Sequence, residues 1–263
     1  MKLGIVGLAF AAAWYGMGVP AGHVRHAEHQ GEPWSWTGRL AAGKTLEIRG
    51  ISGSISAEPA TGDEISVTAR KHGHDDDPAE VRIEVVQSDA GTTICAVYPG
   101  RGNTCEAGGG HMNTHDNDVE VDFEVRVPRG VRFDGSNVNG DVDATNLAGP
   151  VELNTVNGGV RLETSNGDAR AETVNGSITA TLRSLGTGPL HFETVNGGIT
   201  LTLPGDLSAD LEAKTVNGSI QSDFAITVQG RMNPREVSGR IGQGGRTLEL
   251  ETVNGSIRLR RLP

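Results

Sequence analysis

The sequence predicts an all-β protein, built as a β-solenoid-like stack of short strands joined by Asn-Gly turns. Three observations lead to this prediction. The hexapeptide Thr-Val-Asn-Gly-Ser-Ile occurs three times unchanged, ending at Ile178, Ile220 and Ile257. Apolar and polar residues alternate beside each copy, which is the period of a half-buried strand. Aromatic residues make up only 4% of the 263 residues while glycine reaches 38, which favours repeated turns over a large aromatic core.

The chain begins with a segment typical of export. Residues 1–21 combine Lys2, an apolar stretch and small residues up to Ala21, which predicts a cleaved signal peptide. The apolar stretch is shorter than the ~20 residues that a membrane-spanning helix needs. We therefore expect no membrane insertion after cleavage, and a periplasmic or extracellular protein. Residues 22–38 show no periodic apolar face and predict a flexible leader.

Residues 39–135 form a predicted N-terminal β-strand region. The segment Ile51-Ser52-Gly53-Ser54-Ile55 is a degenerate copy of the hexapeptide. Cys95 and Cys105 flank a loop rich in Gly and Asn. In an oxidising compartment this pair predicts a disulfide, because two thiols without further cysteine ligands make a poor zinc site.

Residues 136–263 form the predicted β-repeat region, continuous with the preceding strands. Successive Asn-Gly pairs are first 18, then 9 and later 21 residues apart, and two degenerate copies place Ala148 and Ser238 in the asparagine position. The predicted structural turn residues are Asn139, Gly140, Asn157, Gly158, Asn166, Gly167, Asn175, Gly176, Asn196, Gly197, Asn217, Gly218, Gly239, Asn254 and Gly255.

Asn and Gly both tolerate the positive φ of tight turns, so we interpret the repeat as a backbone turn. The strands beside it are expected to place apolar residues inward and Thr, Glu and Arg outward. An antiparallel β meander or sandwich is the alternative, because Asn-Gly between alternating hydrophobics also marks a hairpin. The near-identity of successive turns favours the solenoid, in which asparagine amides could hydrogen-bond up the stack.

The recurring Val-Asn-Gly-x-Ile/Val turns behind an exported N-terminus resemble a family of bacterial envelope proteins. That family is a β-strand-repeat domain of unknown function, often labelled "putative adhesin". The resemblance covers about residues 40–262 and rests on the copies that end at Ile178, Ile220 and Ile257. It implies an extracytoplasmic all-β domain without a known catalytic centre.

The formal net charge of −10 argues against nucleic acid and anionic membranes as partners, since both reward Lys and Arg. We expect no cofactor and no resident metal. The weak metal candidates are His72, His74 and Asp75 in one loop, with His111 and His115 in another, as possible zinc or copper ligands. Asp141, Asp143 and Asp168 follow turns, but most copies carry Ser or Gly there, so systematic calcium binding is not expected.

Carboxylates precede several repeats, at Glu163, Glu172, Glu193 and Glu251. Recurrence at one position indicates a solvated face, whereas a catalytic pair would break the repeat. The sequence therefore predicts a non-enzymatic, exported module that is structural or binds an envelope protein or glycan. A carbohydrate-active enzyme or a metal-dependent binding protein on a solenoid is the alternative. Self-association through an uncapped last coil at 257–259 is a further expectation, which Arg258 and its neighbours would discourage.

Overall fold

A computed structural model describes residues 29–114, 116–164, 168–228 and 233–263. The protein is all-β, and its strands form two eleven-stranded sheets. One short 3-10 turn spans Pro78–Glu80. In the described part of the chain, no helix is long and apolar enough to cross a membrane. The predicted signal peptide at 1–21 lies outside the described residues.

The first ten strands cover the N-terminal region and the first Asn-Gly turn. They are β1 (His29–Gln30), β2 (Trp34–Gly38), β3 (Thr45–Arg49), β4 (Ile55–Pro59), β5 (Ile65–Gly73), β6 (Arg82–Gln87), β7 (Gly91–Val97), β8 (Glu120–Val127), β9 (Arg132–Ser136) and β10 (Val142–Leu147).

The remaining strands cover the repeat region. They are β11 (Val151–Asn157), β12 (Val160–Thr164), β13 (Ala169–Asn175), β14 (Ile178–Leu182), β15 (Leu190–Asn196), β16 (Ile199–Leu203), β17 (Ala209–Asn217), β18 (Ile220–Ser222), β19 (Ile226–Val228), β20 (Glu236–Ile241), β21 (Arg246–Asn254) and β22 (Ile257–Arg261).

The strands stack as coils, which confirms the solenoid-like prediction. We call sheet 1 the sheet of β1, β2, β5, β8, β4, β10, β12, β14, β16, β22 and β18, and sheet 2 the sheet of β19, β20, β17, β21, β15, β13, β11, β9, β3, β7 and β6. Each coil contributes one strand to sheet 2, turns a corner, and contributes the next strand to sheet 1. Neighbouring coils pair in parallel, as β11 with β13 and β12 with β14, which excludes an antiparallel meander for these coils.

The core fills the space between the two sheets. It is one continuous cluster that extends from Leu46 through Phe133 and Phe192 to Leu259. Because each apolar side chain lies against its equivalents in the neighbouring coils, burial of one Leu or Ile contributes about 1.5–3 kcal/mol only when those coils are in place. The sheets and the core continue across residue 136 without a break, since β9 pairs with β11 and β4 with β10.

The order of coils in space differs from their order in the chain at the C-terminal end. Strand β21 lies between β15 and β17, and β22 lies between β16 and β18. The last coil of the chain is therefore an internal layer, and the expectation that residues 257–259 form an uncapped end is wrong. The outermost coil is β17 and β18, and the antiparallel strands β20 and β19 extend sheet 2 beyond it.

The described Asn-Gly corners lie on one side of the stack, where the chain passes from sheet 2 to sheet 1. The asparagine side chains form the expected ladder, in which each Nδ2 donates at 2.8–2.9 Å to the Oδ1 of the asparagine before it in the spatial order Asn139, Asn157, Asn175, Asn196, Asn254, Asn217. The wider spacing of 21 residues arises on the opposite side, in the longer connections 183–189 and 204–208. Asn166 and Gly167 lie outside the described residues.

The glycines of these corners are needed for close packing, which corrects the positive-φ interpretation. Only Gly140 of this column has φ in the left-handed region, at 139°. At Gly176 and Gly197 an added Cβ would lie 1.8 Å from the carbonyl oxygen of the glycine in the preceding coil. No side chain fits there, because the coils are held at the spacing of paired strands.

The threonines of the hexapeptide also depart from the prediction, because they are buried instead of facing outward. Each Oγ1 donates about one coil away to the glycine carbonyl, as Thr173 to Gly158 and Thr194 to Gly176, both at 2.9 Å. The valine at the next position is exposed in most copies, including Val138 after Asn137, whereas Val195 is half-buried. Exposure of 37–55% is found for Val138, Val156, Val174, Val216 and Val253.

Two further expectations are wrong. Residues 29–38 are not a flexible leader: β1 and β2 pair antiparallel with β5, and Trp34 and Trp36 pack on the core. Gly239 is not at a corner, because it lies inside β20, opposite Leu211 of β17. The Val-Ser-Gly-Arg-Ile segment has the composition of a repeat but pairs antiparallel, which the local pattern does not reveal.

Candidate functional site

The outer surface of sheet 2 carries two rows of polar side chains, because alternate residues of a strand face the same side. Row one holds, in register across neighbouring strands, Glu47, Asp134, Glu152, Arg170, His191, Glu249 and Glu212. Row two holds, two residues further along each strand, Arg49, Ser136, Asn154, Glu172, Glu193, Glu251 and Lys214. Unlike the corner, this face differs from coil to coil.

His191 is the centre of a cluster of carboxylates on this face. Its Nδ1 lies 3.0 Å from Glu249 Oε2. Its Nε2 lies 3.4 Å from Glu172 Oε1 and 3.5 Å from Glu193 Oε2. The side chain of His191 is 18% exposed, and its Nε2 is buried and makes no hydrogen bond with the described residues. Within the part of the chain that the structure describes, Glu172, His191 and Glu193 are the one group of three whose ligand atoms lie close enough to hold a metal ion.

A groove of about 520 Å³ runs beside this cluster. Its walls include Asn154 and Asp168 together with residues of both rows. Arg170 is paired with Glu172 and lies 3.7 Å from Glu152, which in turn lies 3.2 Å from Arg132. The groove therefore presents alternating positive and negative groups at fixed positions on a rigid sheet.

The N-terminal part of row one is more strongly acidic and more buried. Burial, followed by the negative charges of Glu152 and Glu47, raises the pKa of Asp134 to about 6. Glu47 is itself buried and accepts a hydrogen bond from Thr93 Oγ1 at 2.7 Å. This end of the face thus keeps a carboxyl group that changes charge near neutral pH.

Comparison with known proteins bears on the fold and on the family. Residues 41–260 match the model of the family described as Toastrack DUF4097. The chain belongs to this family. No curated protein matches its sequence. The Toastrack match covers the whole stack, including both rows and all the described corners.

Two solved structures match most of the length of this chain. A "putative cell adhesion protein" from Clostridium sporogenes is 12% identical, with a TM-score of 0.50, over 88% of this chain and 100% of that one. A "putative adhesin" from Bacteroides fragilis is 12% identical, with a TM-score of 0.31, over 88% and 97% of the two chains. At such identities the first likeness shows a shared fold and nothing more about this Toastrack protein.

The metal candidates taken from the sequence are not brought together. His72 Nε2 lies 2.7 Å from Asp122 Oδ2 on the outer face of sheet 1. The backbone N–H groups of His74 and Asp75 donate to the carboxylate of Asp118 instead, so that loop is organised by one aspartate. His115 lies outside the described residues. Asp118 accepts these backbone hydrogen bonds, of which that from Asp75 is the largest cause, and its pKa is lowered.

The predicted row of carboxylates is present in part. Glu172, Glu193 and Glu251 occupy equivalent positions in row two, whereas Glu163 lies on sheet 1, paired in register with Thr181. His191 was not singled out from the sequence. The pattern that could have found it is His191-Phe192-Glu193, because a strand places its first and third residues on one face beside the Glu172 of the preceding coil.

The disulfide between Cys95 and Cys105 is confirmed. Cys95 is buried on β7, and Cys105 belongs to the loop that follows that strand. The bond ties this loop to the edge of sheet 2 near Glu84, whose carbonyl lies 3.9 Å from the Cys105 sulfur.

Proposed function

We propose that the protein is an exported, non-enzymatic, adhesin-like module of the cell envelope that binds a protein or glycan on the outer face of sheet 2. The observation that carries the proposal is the contrast within one rigid stack. The corners repeat the same residues, while row one changes from coil to coil beside a groove and row two changes except at Glu172, Glu193 and Glu251. A surface of this kind offers many fixed contacts to an extended partner.

The exported location is supported by the segment 1–21 and by the disulfide. A positively charged start, an apolar stretch and small residues are typical of a secretory signal. A structural disulfide such as Cys95–Cys105 persists in oxidising compartments. Both features favour the periplasm or the cell exterior.

The non-enzymatic role is supported by the way in which the groove charges are paired. Arg170 is paired with Glu172, Arg132 with Glu152, and His191 with Glu249. A hydrolytic pair needs two carboxyl groups that face a common reacting atom, and these carboxylates are instead directed at neighbouring basic side chains. The Clostridium sporogenes protein of shared fold, which is named a "putative cell adhesion protein", agrees with a binding role.

Affinity capture tests the proposal. The immobilised wild-type protein is incubated with solubilised envelope proteins and glycans. Two variants, each with one tryptophan ring added to a different face of the stack, are treated in the same way. Asn154→Trp blocks the groove, whereas Thr179→Trp lies on the outer face of sheet 1. We expect the wild type and Thr179→Trp to retain the same partner and Asn154→Trp to lose it. Retention of nothing above background contradicts the binding function, and equal retention by both variants contradicts the choice of face.

A further inference from the structure

We propose that Glu172, His191 and Glu193 bind a divalent metal ion of the zinc class on the outer face of sheet 2, with Glu249 as the residue that positions the imidazole. The geometry of these residues supports the metal site by itself, so the proposal does not depend on whether the groove binds an envelope partner.

The distances within the cluster fit metal ligands better than hydrogen bonds. His191 Nε2 lies 3.4 Å from Glu172 Oε1 and 3.5 Å from Glu193 Oε2. A good N–H···O hydrogen bond has its two heavy atoms about 2.9–3.0 Å apart. Two ligand atoms on a tetrahedral zinc ion at about 2.0–2.2 Å are about 3.3–3.6 Å apart. The carboxylates therefore lie at the spacing that an ion between them and Nε2 requires.

Glu249 prepares the imidazole for this task. Its Oε2 lies 3.0 Å from Nδ1, so the carboxylate accepts a hydrogen bond from Nδ1–H. The lone pair of Nε2 is then directed at Glu172 and Glu193. Metal-binding histidines almost always donate their other ring N–H to a carboxylate or carbonyl in this way. Nε2 is buried and has no hydrogen-bond partner among the described residues, so a ligand there would satisfy it.

The backbone holds the ligands in place before any ion arrives. Glu172 pairs in register with Glu193 in parallel strands, and His191 pairs with Glu249 in the next strand. His191 and Glu193 lie on the same face because they are two residues apart on β15. The ordering of these residues is a consequence of the fold, so metal binding needs only rotation of carboxylate side chains.

Arg170 is the competitor for this site. Its guanidinium is paired with Glu172, and it also lies 3.7 Å from Glu152 Oε1. When Glu172 turns to an ion, Arg170 keeps Glu152 as a partner. Its positive charge nevertheless opposes the ion, so removal of Arg170 should strengthen metal binding while removal of any ligand weakens it. A purely structural cluster of a protonated histidine and three carboxylates predicts no such pattern.

The test uses the untagged full chain after treatment with a chelator. Zinc binding is measured by titration calorimetry, and cobalt is used as a spectroscopic probe of the coordinating groups. We expect the wild type to bind zinc at this site, and His191→Gln, Glu172→Gln and Glu193→Gln each to weaken that binding by about 100-fold or more. Glu249→Gln should weaken it about 10–100-fold, and Arg170→Gln should tighten it several-fold.

His72→Gln is the matched control, because His72 also pairs with a carboxylate but on sheet 1, and it should leave zinc binding unchanged. Thermal unfolding without metal identifies any variant that fails to fold. Glu193→Gln leaves the contact between His191 and Glu249 intact and serves if His191→Gln is misfolded. Absence of zinc binding by the wild type, or equal affinity in the wild type, His191→Gln and Glu193→Gln, would overturn the proposal.

Discussion

The Asn-Gly corner and the outer face of sheet 2 belong to the same coils but are built by opposite rules. At the corner the coils repeat Thr, Asn and Gly; Asn and Gly contact their equivalents in the neighbouring coil, and Thr donates to the glycine carbonyl there. On the face, successive coils place Glu152, Arg170, His191 and Glu249 at the same position. The repeated residues lie where the backbones of neighbouring coils pack closely, and the varied residues lie on the face where the coils differ from one another.

The largest expected effect tests the packing role of the corner. In Gly176→Ala the new Cβ would lie 1.8 Å from the carbonyl oxygen of Gly158, so the two coils must separate. We expect a loss of about 3 kcal/mol in the free energy of unfolding, measured with urea. The control Gly205→Ala has no atom within 4 Å of its new Cβ and should change stability little. Equal effects of the two substitutions would show that close packing is not what the corner glycine provides.

A smaller effect, of opposite sign, is expected on the face. The folded pKa of Asp134, about 6, is raised above its ordinary value of 3.8, so the folded state binds more protons than the unfolded state between these pH values. The contribution of Asp134 to stability therefore falls as pH rises from 4 to 6 and is unfavourable at pH 7. We expect Asp134→Asn to be about 1–2 kcal/mol more stable than the wild type at pH 7, after allowance for partial solvation.

The check on Asp134 is urea unfolding of both proteins from pH 4 to pH 7. The advantage of the variant should shrink as pH falls and be small at pH 4, where the wild-type carboxyl group is protonated in the folded state and about half ionised in the unfolded state. A difference that does not depend on pH would mean that the carboxylate charge is not the cause.

The smallest effect distinguishes the interior of the asparagine ladder from its end. Asn196 donates to Asn175 and accepts from Asn254, whereas Asn217 makes one ladder hydrogen bond, to Asn254. Because these amides are exposed to water, we expect Asn196→Ala to cost about 1 kcal/mol and Asn217→Ala about half of that. The two unfolding free energies, measured side by side, test whether the ladder adds stability per bond; a larger loss at Asn217 would contradict it.

Local repetition in the sequence was enough to predict the stacked coils and the stacked asparagines, and the pair of cysteines in an expected oxidising compartment was enough to predict the disulfide of Cys95. It could not give the reason for glycine at the corner, because close approach of Gly176 to another coil is a tertiary contact. The same limit explains Gly239, whose antiparallel partner lies on β17.

The candidate site was harder to predict than the fold. His191 is one histidine among eight in the sequence. It is recognisable as a candidate ligand only when the strand register places Glu172 and Glu249 beside its two ring nitrogens. The His72 loop has a denser cluster of ligand-type residues in sequence, yet the fold directs His72 to Asp122 and organises the loop around Asp118. Closeness in sequence does not predict which residues lie side by side on parallel strands, because the partner residue there is a whole coil away along the chain.

The position of β21 and β22 inside the stack affects the order in which the coils can assemble. The coils from β9 to β16 pair with their predecessors, so each of them can join the stack as soon as it is synthesised. The coil of β17 and β18 has to wait, because the layer between it and β15 and β16 is the last part of the chain to emerge. Addition of coils in chain order therefore stops at β16, and the layers of β17, β18, β21 and β22 can join the stack only together, once residue 261 has been made.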